Sequence, residues 1–319
     1  MNYRRMGRWG LKLSEISLGA WLTFGDQVDE QVAGRMLHAA YDQGVNFFDD
    51  ADAYGRGRGE EVMGAAMAGL PRTASVISSK VFWPTMPGPN GQGLSRKHIF
   101  ESCDASLRRL GTDYLDLYFC HRFDPDTPLD ETVRAMDDLV RQGKVLYWGT
   151  SEWTPAQIEQ AHAVAGQGGC HPPAVEQPHY NMLVRRVVEE ELAPLADRLG
   201  VGLVTWSPLR SGLLSGKYNK DRPRGARLSR KENAWLGDIL NKGNLNASRV
   251  LSQIADDIGC TQAQLAIGWL LRTQQVTSVI TGATSSEQLE ENLGAVEVLP
   301  RLTPQVLARI ESAVANKPR

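Results

Sequence analysis

The sequence predicts an α/β fold, a (β/α)8 TIM barrel with an N-terminal β-hairpin and a long loop after the seventh barrel strand. Eight short apolar and β-branched runs recur along the 319 residues, with segments of helical periodicity between them. Alternating strands and helices predict a parallel sheet, and eight such units most often close into a barrel. An open, doubly wound sheet is the alternative. No break in composition divides the chain, so we expect one domain over residues 1–319.

The predicted barrel strands are rich in β-branched and aromatic residues. In chain order they are EISLGAW, VNFFDD, SVISSKVFW, YLDLYFCH, VLYWGTS, PAVEQ, VGLVTWSPL and VTSVITGA. Before them, the segment from Tyr3 to Lys12 contains two extended stretches around Gly7 to Gly10. This pattern predicts a hairpin that closes the floor of the barrel.

Two of the intervening segments carry apolar residues three or four positions apart, as expected of amphipathic helices that pack on a sheet. One stripe consists of Ile99, Cys103, Leu107 and Leu110, and the other of Val188, Leu192, Leu195 and Leu199.

Two connections are longer than ordinary strand-to-helix loops. The stretch from Trp83 to Ser95 follows the third strand and contains three prolines and three glycines, while the stretch from Ser207 to Asn246 follows the seventh strand. Loops of such length are usually functional or disordered. Because barrel active sites lie at the carboxyl ends of the strands, we expect both loops to border the site.

Composition excludes several classes of protein. A formal net charge of -2 gives no reason to expect nucleic acid or an anionic membrane as a partner. No segment approaches the roughly 18 apolar residues of a membrane span, and the amino terminus lacks the apolar run of a secretory signal. The four cysteines are scattered, without Cys-x-x-Cys spacing. We therefore expect reduced thiols in a cytoplasmic protein.

Two glycine-rich motifs resemble phosphate-binding patterns but do not match them. Gly55, Gly57 and Gly59 stand between a strand and a helix, but Glu60 occupies the position of the third glycine of a dinucleotide loop. The stretch from Gly212 to Lys217 is one residue short of a P-loop and lacks the following Ser or Thr. The six histidines include no His-x-His after the first strand, so we expect no metal and no metal-dependent hydrolase.

Acid–base side chains follow three consecutive strands. Asp49 and Asp50 end the second strand, with Tyr54 shortly after, Lys80 ends the third, and His121 ends the fourth. A buried lysine is unfavourable unless it is paired or used. Alone, His121 could be a core histidine and Lys80 a stabilising ion-pair partner. Their convergence on one barrel mouth favours a catalytic role.

The tyrosine needs a perturbed pKa if it is to act near neutral pH. A free tyrosine titrates near ~10, and a neighbouring ammonium favours the phenolate. We therefore expect Lys80, itself held by a carboxylate, to lower the pKa of Tyr54.

Long motifs along the whole chain resemble the aldo-keto reductases, and most closely their branch with the potassium-channel β-subunits and bacterial and plant relatives. The motifs are LGAWLTFGDQ, NFFDDADAYG, SSKVFW, CHRFDPDTPLDETVRAMDDLV, YWGTSEW, EQPHYN, WSPLRSGLLSGKY and GATSSEQLEENLGAV. The resemblance implies a catalytic tetrad of Asp49, Tyr54, Lys80 and His121. The family's spacing selects Asp49 over Asp50, which leaves Asp50 and Asp52 to cap or orient the loop.

This resemblance implies direct hydride transfer from NADPH to an aldehyde or ketone, with Tyr54 as general acid. Asp49 and Lys80 would tune Tyr54, and His121 would orient the carbonyl. Trp21 and Trp83 would line the substrate pocket.

The expected cofactor side is basic and includes a helix start. Seven basic residues and one acid lie between Lys217 and Lys231, typical of either an anion site or a solvated loop. Ser285 and Gln288 have capping-box spacing, which predicts free amides for a phosphate. By resemblance, the residues that contact NADPH/NADP are Trp21, Gln27, Asp49, Ser151, Glu152, Gln177, Trp206, Ser207, Pro208, Leu209, Arg210, Ser211, Lys217, Arg227, Gly282, Thr284, Gln288, Glu291 and Asn292. Among the cofactor loops, Arg210 and Gly225 depart from the pattern of the channel-subunit branch.

Two functions are therefore open. The first is an NADPH-dependent reductase of small carbonyl compounds, and the second is a regulatory subunit that senses NADPH/NADP and docks on a membrane channel. His121 favours turnover, because animal channel subunits tend to carry Asn at this position. The resemblance also implies homo-oligomers, usually tetramers.

Overall fold

The computed structural model describes residues 1–21 and 30–315, apart from the side chain of Glu232, and contains a closed barrel of eight parallel strands. These strands are β3 (Ile16–Gly19), β4 (Phe47–Asp49), β5 (Val76–Val81), β6 (Leu115–Cys120), β7 (Val145–Ser151), β8 (Val175–Gln177), β9 (Gly202–Thr205) and β10 (Val276–Thr281). Each pairs with the next in chain order, and β10 closes the ring on β3. The predicted (β/α)8 barrel is confirmed, and the open sheet is excluded.

Helices alternate with the barrel strands along the described chain. They are α1 (Glu30–Asp42), α2 (Arg58–Ala66), α3 (Arg96–Leu110), α4 (Leu129–Arg141), α5 (Pro155–Gly168), α6 (Ala193–Leu199), α7 (Lys242–Asp257), α8 (Gln262–Leu271), α9 (Ser286–Leu293) and α10 (Pro304–Val314). One helix separates each pair of strands from β3 to β9, and two helices separate β9 from β10. Apolar helix faces and the outward faces of the strands form the largest core cluster.

The two predicted apolar stripes face this core, but the second is not a continuous α-helix. In α3 all four stripe residues are buried. The second stripe starts in a π-helical turn, Val187–Leu192, that runs into α6. The N–H of Ala193 bonds to the carbonyl of Val188. Pro194 follows and has no N–H with which to continue the α-helical pattern, which explains the wider turn.

An antiparallel hairpin closes the floor of the barrel, as predicted. Its strands are β1 (Tyr3–Arg5) and β2 (Lys12–Ser14). Met6 and Leu13 are fully buried in the cluster that fills the barrel interior. Gly7 has a φ of 54°, and a Cβ there would lie 2.2 Å from the carbonyl oxygen of Gly200. Glycine at this position therefore allows the hairpin to approach the end of α6 closely.

The cysteines form no disulfides. Cys103 and Cys120 are buried, whereas Cys170 and Cys260 are half-buried, and all four are free thiols. None of the helices in residues 1–21 and 30–315 has the length and apolar character needed to cross a membrane.

Candidate active site

A cleft of about 1030 Å³ opens at the carboxyl ends of the barrel strands. Residues at or after the ends of all eight strands contribute to its lining. The volume is at the upper end of the range typical of small-molecule and cofactor sites. Every predicted tetrad side chain lies at or directly beneath this cleft.

The base of the cleft is built around a buried ammonium. Lys80 Nζ donates hydrogen bonds to Asp49 Oδ2 at 2.7 Å and to the carbonyl of Asp50 at 2.6 Å. It also lies 3.2 Å from Tyr54 Oη. The other carboxylate oxygen of Asp49 accepts from Ser78 Oγ at 2.7 Å and Gln177 Nε2 at 3.0 Å. Strands β4 and β5, which are paired, and β8, across the barrel, thus supply a fixed set of partners for one carboxylate and one ammonium.

The expected pKa of Tyr54 was wrong in direction. Desolvation raises the pKa of Tyr54 to about 12, although Lys80 acts to lower it. Asp49 and Asp50 add to the increase. Lys80 cannot offset burial because the nearby carboxylates oppose its field. The phenol is therefore protonated throughout the neutral range, as a proton donor must be.

The ammonium of Lys80 remains charged despite its burial. Desolvation acts to lower the pKa of Lys80, but attraction to Asp49, with hydrogen bonds to Asp49 and Tyr54, raises it overall. Tyr54 thus faces a permanent positive charge.

His121 lies beside Tyr54 in an apolar setting. Its ring centroid is 5.8 Å from that of Tyr54 and 6.2 Å from that of Trp83. Burial, followed by repulsion from Lys80 and Arg122, lowers the pKa of His121 well below its usual value. The imidazole is therefore neutral near pH 7. His121 Nδ1 is buried without a hydrogen-bond partner among the described residues.

Asp50 and Asp52 face away from the cleft. Asp50 Oδ1 accepts from the N–H of Ala51, and a Cβ at Gly59 would lie 2.8 Å from the same oxygen. Asp52 Oδ2 accepts from Ser102 Oγ at 3.2 Å. The Asp50 carboxyl therefore packs against α2, and the Asp52 carboxyl packs against α3. Of Asp49, Asp50 and Asp52, only Asp49 lines the cleft, and the glycine motif provides close packing.

Most residues predicted to contact the cofactor do line the cleft. They are Trp21, Asp49, Ser151, Gln177, Trp206, Ser207, Pro208, Leu209, Arg210, Ser211, Lys217, Arg227, Gly282, Thr284, Gln288, Glu291 and Asn292. Gln27 lies outside the described residues. Glu152 is exposed and does not line the cleft. Its Oε1 accepts from Trp206 Nε1 at 3.0 Å and from the N–H of His179 at 2.5 Å, so Glu152 holds Trp206 from outside.

His179 was missed by sequence reasoning. Its ring stacks on Trp206, with centroids 4.3 Å apart and planes 19° apart. Burial and the nearby Arg210 lower the pKa of His179 to about 4. Arg210 Nη1 lies 3.3 Å from His179 Nε2, and Arg210 Nε is buried without a partner among the described residues. The strand-end signal that singled out Lys80 could have found His179, which follows β8 by two residues.

The two long loops differ in what they contribute. The loop from Ser207 to Asn246 lines much of the cleft and carries Trp235, which is 65% exposed and lies 6.4 Å from the Trp21 ring. From the stretch between Trp83 and Ser95, only Trp83 is among the described residues that line the cleft. The loop from Ser207 to Asn246 therefore borders the site as expected, whereas the loop from Trp83 to Ser95 borders it through Trp83.

The predicted capping box at α9 is shifted by one residue. Ser285 Oγ accepts from the N–H of Gln288 at 3.4 Å, as expected. The side chain of Gln288, however, accepts from the N–H of Thr284 at 3.0 Å and not from that of Ser285. Gln288, Glu291 and Asn292 present one helix face to the cleft.

Metal binding finds no support in the described ranges. Within residues 1–21 and 30–315, no group of three or more His, Cys, Asp and Glu side chains is placed to hold a metal ion.

The class of fold is thus a closed barrel of eight parallel strands that carries Asp49, Tyr54 and His121 at its mouth, with Lys80 directly beneath. The chain matches the aldo/keto reductase family over residues 15–315 and belongs to that family. Two relatives align over 100% of this chain and 98% of their own length. A probable voltage-gated potassium channel subunit beta from Arabidopsis thaliana is 48% identical over 328 residues. Its counterpart from Oryza sativa subsp. japonica is 47% identical over 323 residues. The family resemblance predicted from the sequence motifs is confirmed.

Proposed function

We propose that the protein is a cytoplasmic, single-domain reductase that uses NADPH to convert aldehydes and ketones to alcohols. The observation that carries the proposal is the contact of Lys80 Nζ with both Asp49 and Tyr54 at the base of a large cleft. Family membership supports an oxidoreductase. The use of NADPH and the reduction of aldehydes and ketones are what we propose beyond family membership.

The cleft suits a nicotinamide dinucleotide in size and charge. Arg210 offers a buried Nε without a partner among the described residues, which is a donor for an anionic or carbonyl group. Lys217 and Arg227 line the same wall, where they would hold phosphate groups. Trp206, fixed by Glu152 and stacked on His179, would pack against the nicotinamide. Bound NADPH would supply the hydride that reduces the carbonyl carbon.

The chain's own residues would complete the reduction. Tyr54, protonated up to a pKa of about 12, would donate its proton to the carbonyl oxygen. Lys80 would stabilise the phenolate that results, because its ammonium is 3.2 Å from Tyr54 Oη. Neutral His121 would donate a hydrogen bond that orients the carbonyl. Trp21 and Trp83 would flank the substrate and exclude water.

A second candidate is a regulatory subunit that senses the NADPH/NADP ratio. The relatives named as probable potassium channel β-subunits support this alternative, and with it a homo-tetramer. Retention of His121 next to Tyr54 favours turnover. Slow reduction is compatible with sensing. Affinity capture of a channel protein, together with no reduction of any carbonyl, would favour the subunit role.

The decisive experiment is a panel of aldehydes and ketones followed by the loss of NADPH absorbance. We expect reduction by the wild-type protein and none above background by Tyr54→Phe. NADPH binding by Tyr54→Phe, measured by fluorescence titration, should remain. Turnover by Tyr54→Phe at close to the wild-type rate would remove the assigned role of the phenol.

A further inference from the structure

Arg122 lies at the mouth of the cleft and has no acidic partner among residues 1–21 and 30–315. It directly follows His121 at the end of β6 and lines the cleft. Its guanidinium carbon lies 5.6 Å from the centre of the Trp83 ring, and its Nη1 donates to the carbonyl of His121. Among the described residues, no carboxylate forms an ion pair with Arg122, although many other arginines of the chain form one. A guanidinium has five N–H donors, and the side chain of Arg122 uses one of them within the described part of the chain, which leaves donors there for a ligand.

The position of Arg122 separates it from the proposed cofactor side. In the closed barrel, β6 lies opposite β10. The residues proposed to hold phosphates follow β9 and β10, and include Lys217, Arg227 and the start of α9. Arg122 instead shares its wall with His121 and Trp83, next to Tyr54. A ligand of Arg122 would therefore be the compound whose carbonyl faces Tyr54.

The local charge favours an anion. The acids that line the cleft in the described chain are Asp49 and Glu291. Asp49 is paired with Lys80, and Glu291 lies on α9, across the cleft. Asp124, close in sequence to Arg122, accepts from the N–H of Leu94 and from Thr127. The charges that act on neighbouring His121 are those of Lys80 and Arg122, both positive, which favours a negatively charged substrate at this wall.

We propose that Arg122 is a specificity-determining residue that binds the carboxylate of an aldehyde substrate, so that the preferred substrates are aldehydes that carry an acid group. The inference rests on the proposed reductase function. The planar guanidinium fork matches a carboxylate in a two-point contact. Trp83 supports the guanidinium from one face and packs against the carbon skeleton between the two polar ends of the substrate.

The test compares 4-carboxybenzaldehyde with 4-nitrobenzaldehyde, which has the same shape without the charge. For each protein, kcat/KM for 4-carboxybenzaldehyde is divided by kcat/KM for 4-nitrobenzaldehyde. The difference in intrinsic reactivity between the two aldehydes then cancels when variants are compared. In Arg122→Gln this ratio should fall about ten-fold or more, mainly through KM, because a hydrogen-bonded charge contact is lost. Arg122→Lys should give an intermediate ratio. Arg108→Gln, which removes an exposed arginine of α3, should keep the wild-type ratio.

A binding measurement tests Arg122 without turnover. Calorimetric titration with 4-(hydroxymethyl)benzoate should show a Kd that rises about ten-fold or more in Arg122→Gln. Titration with 4-nitrobenzyl alcohol is the uncharged control. Equal benzoate affinities in the wild type and Arg122→Gln would overturn the inference, as would an unchanged kcat/KM ratio. If the wild type reduces neither aldehyde, the reductase proposal fails, and the titration still decides the role of Arg122.

Discussion

Lys80 Nζ and Asp49 Oδ2 lie 2.7 Å apart beneath the cleft, with 0% and 3% of their side-chain surfaces exposed. Two opposite charges buried in this way stabilise each other only while both are present. If one is removed, the other is left in a poorly solvating environment without a counter-charge. Removal of either partner alone should therefore destabilise the barrel, apart from any effect on the proposed chemistry.

The first prediction concerns this ion pair. Lys80→Met should lower the free energy of unfolding by about 3–5 kcal/mol, because Asp49 becomes an unpaired buried charge. A double variant that also carries Asp49→Asn should recover much of the lost free energy of unfolding. Urea unfolding followed by circular dichroism measures both changes. A Lys80→Met protein as stable as the wild type would contradict the proposed energetic coupling.

The second prediction is a flat pH profile for carbonyl reduction. Burial lowers the pKa of His121 well below its usual value, and desolvation raises the pKa of Tyr54 to about 12. Neither group changes protonation between about pH 7 and pH 9, so kcat/KM with saturating NADPH should be nearly constant there. Activity should fall only as pH rises toward the pKa of Tyr54. A ten-fold loss per pH unit starting near pH 7 would refute the assignment.

The third prediction concerns the support of Trp206 by Glu152. In Glu152→Ala, Trp206 Nε1 and the N–H of His179 lose their shared acceptor. We expect the Kd for NADPH to rise about five- to ten-fold, since hydrogen bonds to a charged acceptor fix the indole. Glu152→Gln keeps an acceptor oxygen and should show a smaller change in a fluorescence titration. Unchanged affinity in Glu152→Ala would show that Trp206 needs no such support.

The fourth prediction is a pH-dependent gain in stability from Asp52→Asn. Desolvation, followed by repulsion from Glu60, raises the pKa of Asp52 from 3.8 to about 8. Between these values the folded protein holds a proton that the unfolded chain releases, so this carboxyl lowers stability as pH rises. A neutral amide does not require that proton.

The stability of Asp52→Asn relative to the wild type should therefore increase from about pH 5 to pH 8. Thermal or urea unfolding at several pH values measures it. Asp113→Asn, at an exposed position, is the matched control for the loss of one negative charge. A constant difference across this pH range would exclude the buried, protonated state of Asp52.

The fifth prediction concerns the choice between NADPH and NADH. Lys217 lines the cleft and has Arg227 and Glu291 as charged neighbours. If Lys217 contacts the additional phosphate of NADPH, Lys217→Met should weaken NADPH binding about ten-fold and leave NADH binding nearly unchanged. Titration of both cofactors measures the ratio. Equal affinities of the wild type for NADPH and NADH would remove this role.

Strand positions and polar strand ends could be predicted from the sequence because both depend on local pattern. Lys80 ends one apolar run and His121 the next, and carboxyl ends of parallel strands meet on one side of a sheet. The stack of His179 on Trp206 could not be predicted, since the two rings are held in place by hydrogen bonds of Trp206 Nε1 and the N–H of His179 to Glu152. The position of Glu152 outside the cleft depends on its left-handed backbone, with a φ of 59°. No sequence pattern predicted this backbone conformation.

The amino-acid sequence by itself determined the class of fold and the chemical types at the barrel mouth, because periodicity and strand order are properties of neighbouring residues. Only the tertiary structure decided the state of those groups. The pKa of Tyr54 is raised and not lowered because burial and the carboxylates of Asp49 and Asp50 outweigh the ammonium of Lys80. Such a balance depends on distances and solvent exclusion among distant segments, and it exists only once the barrel has closed.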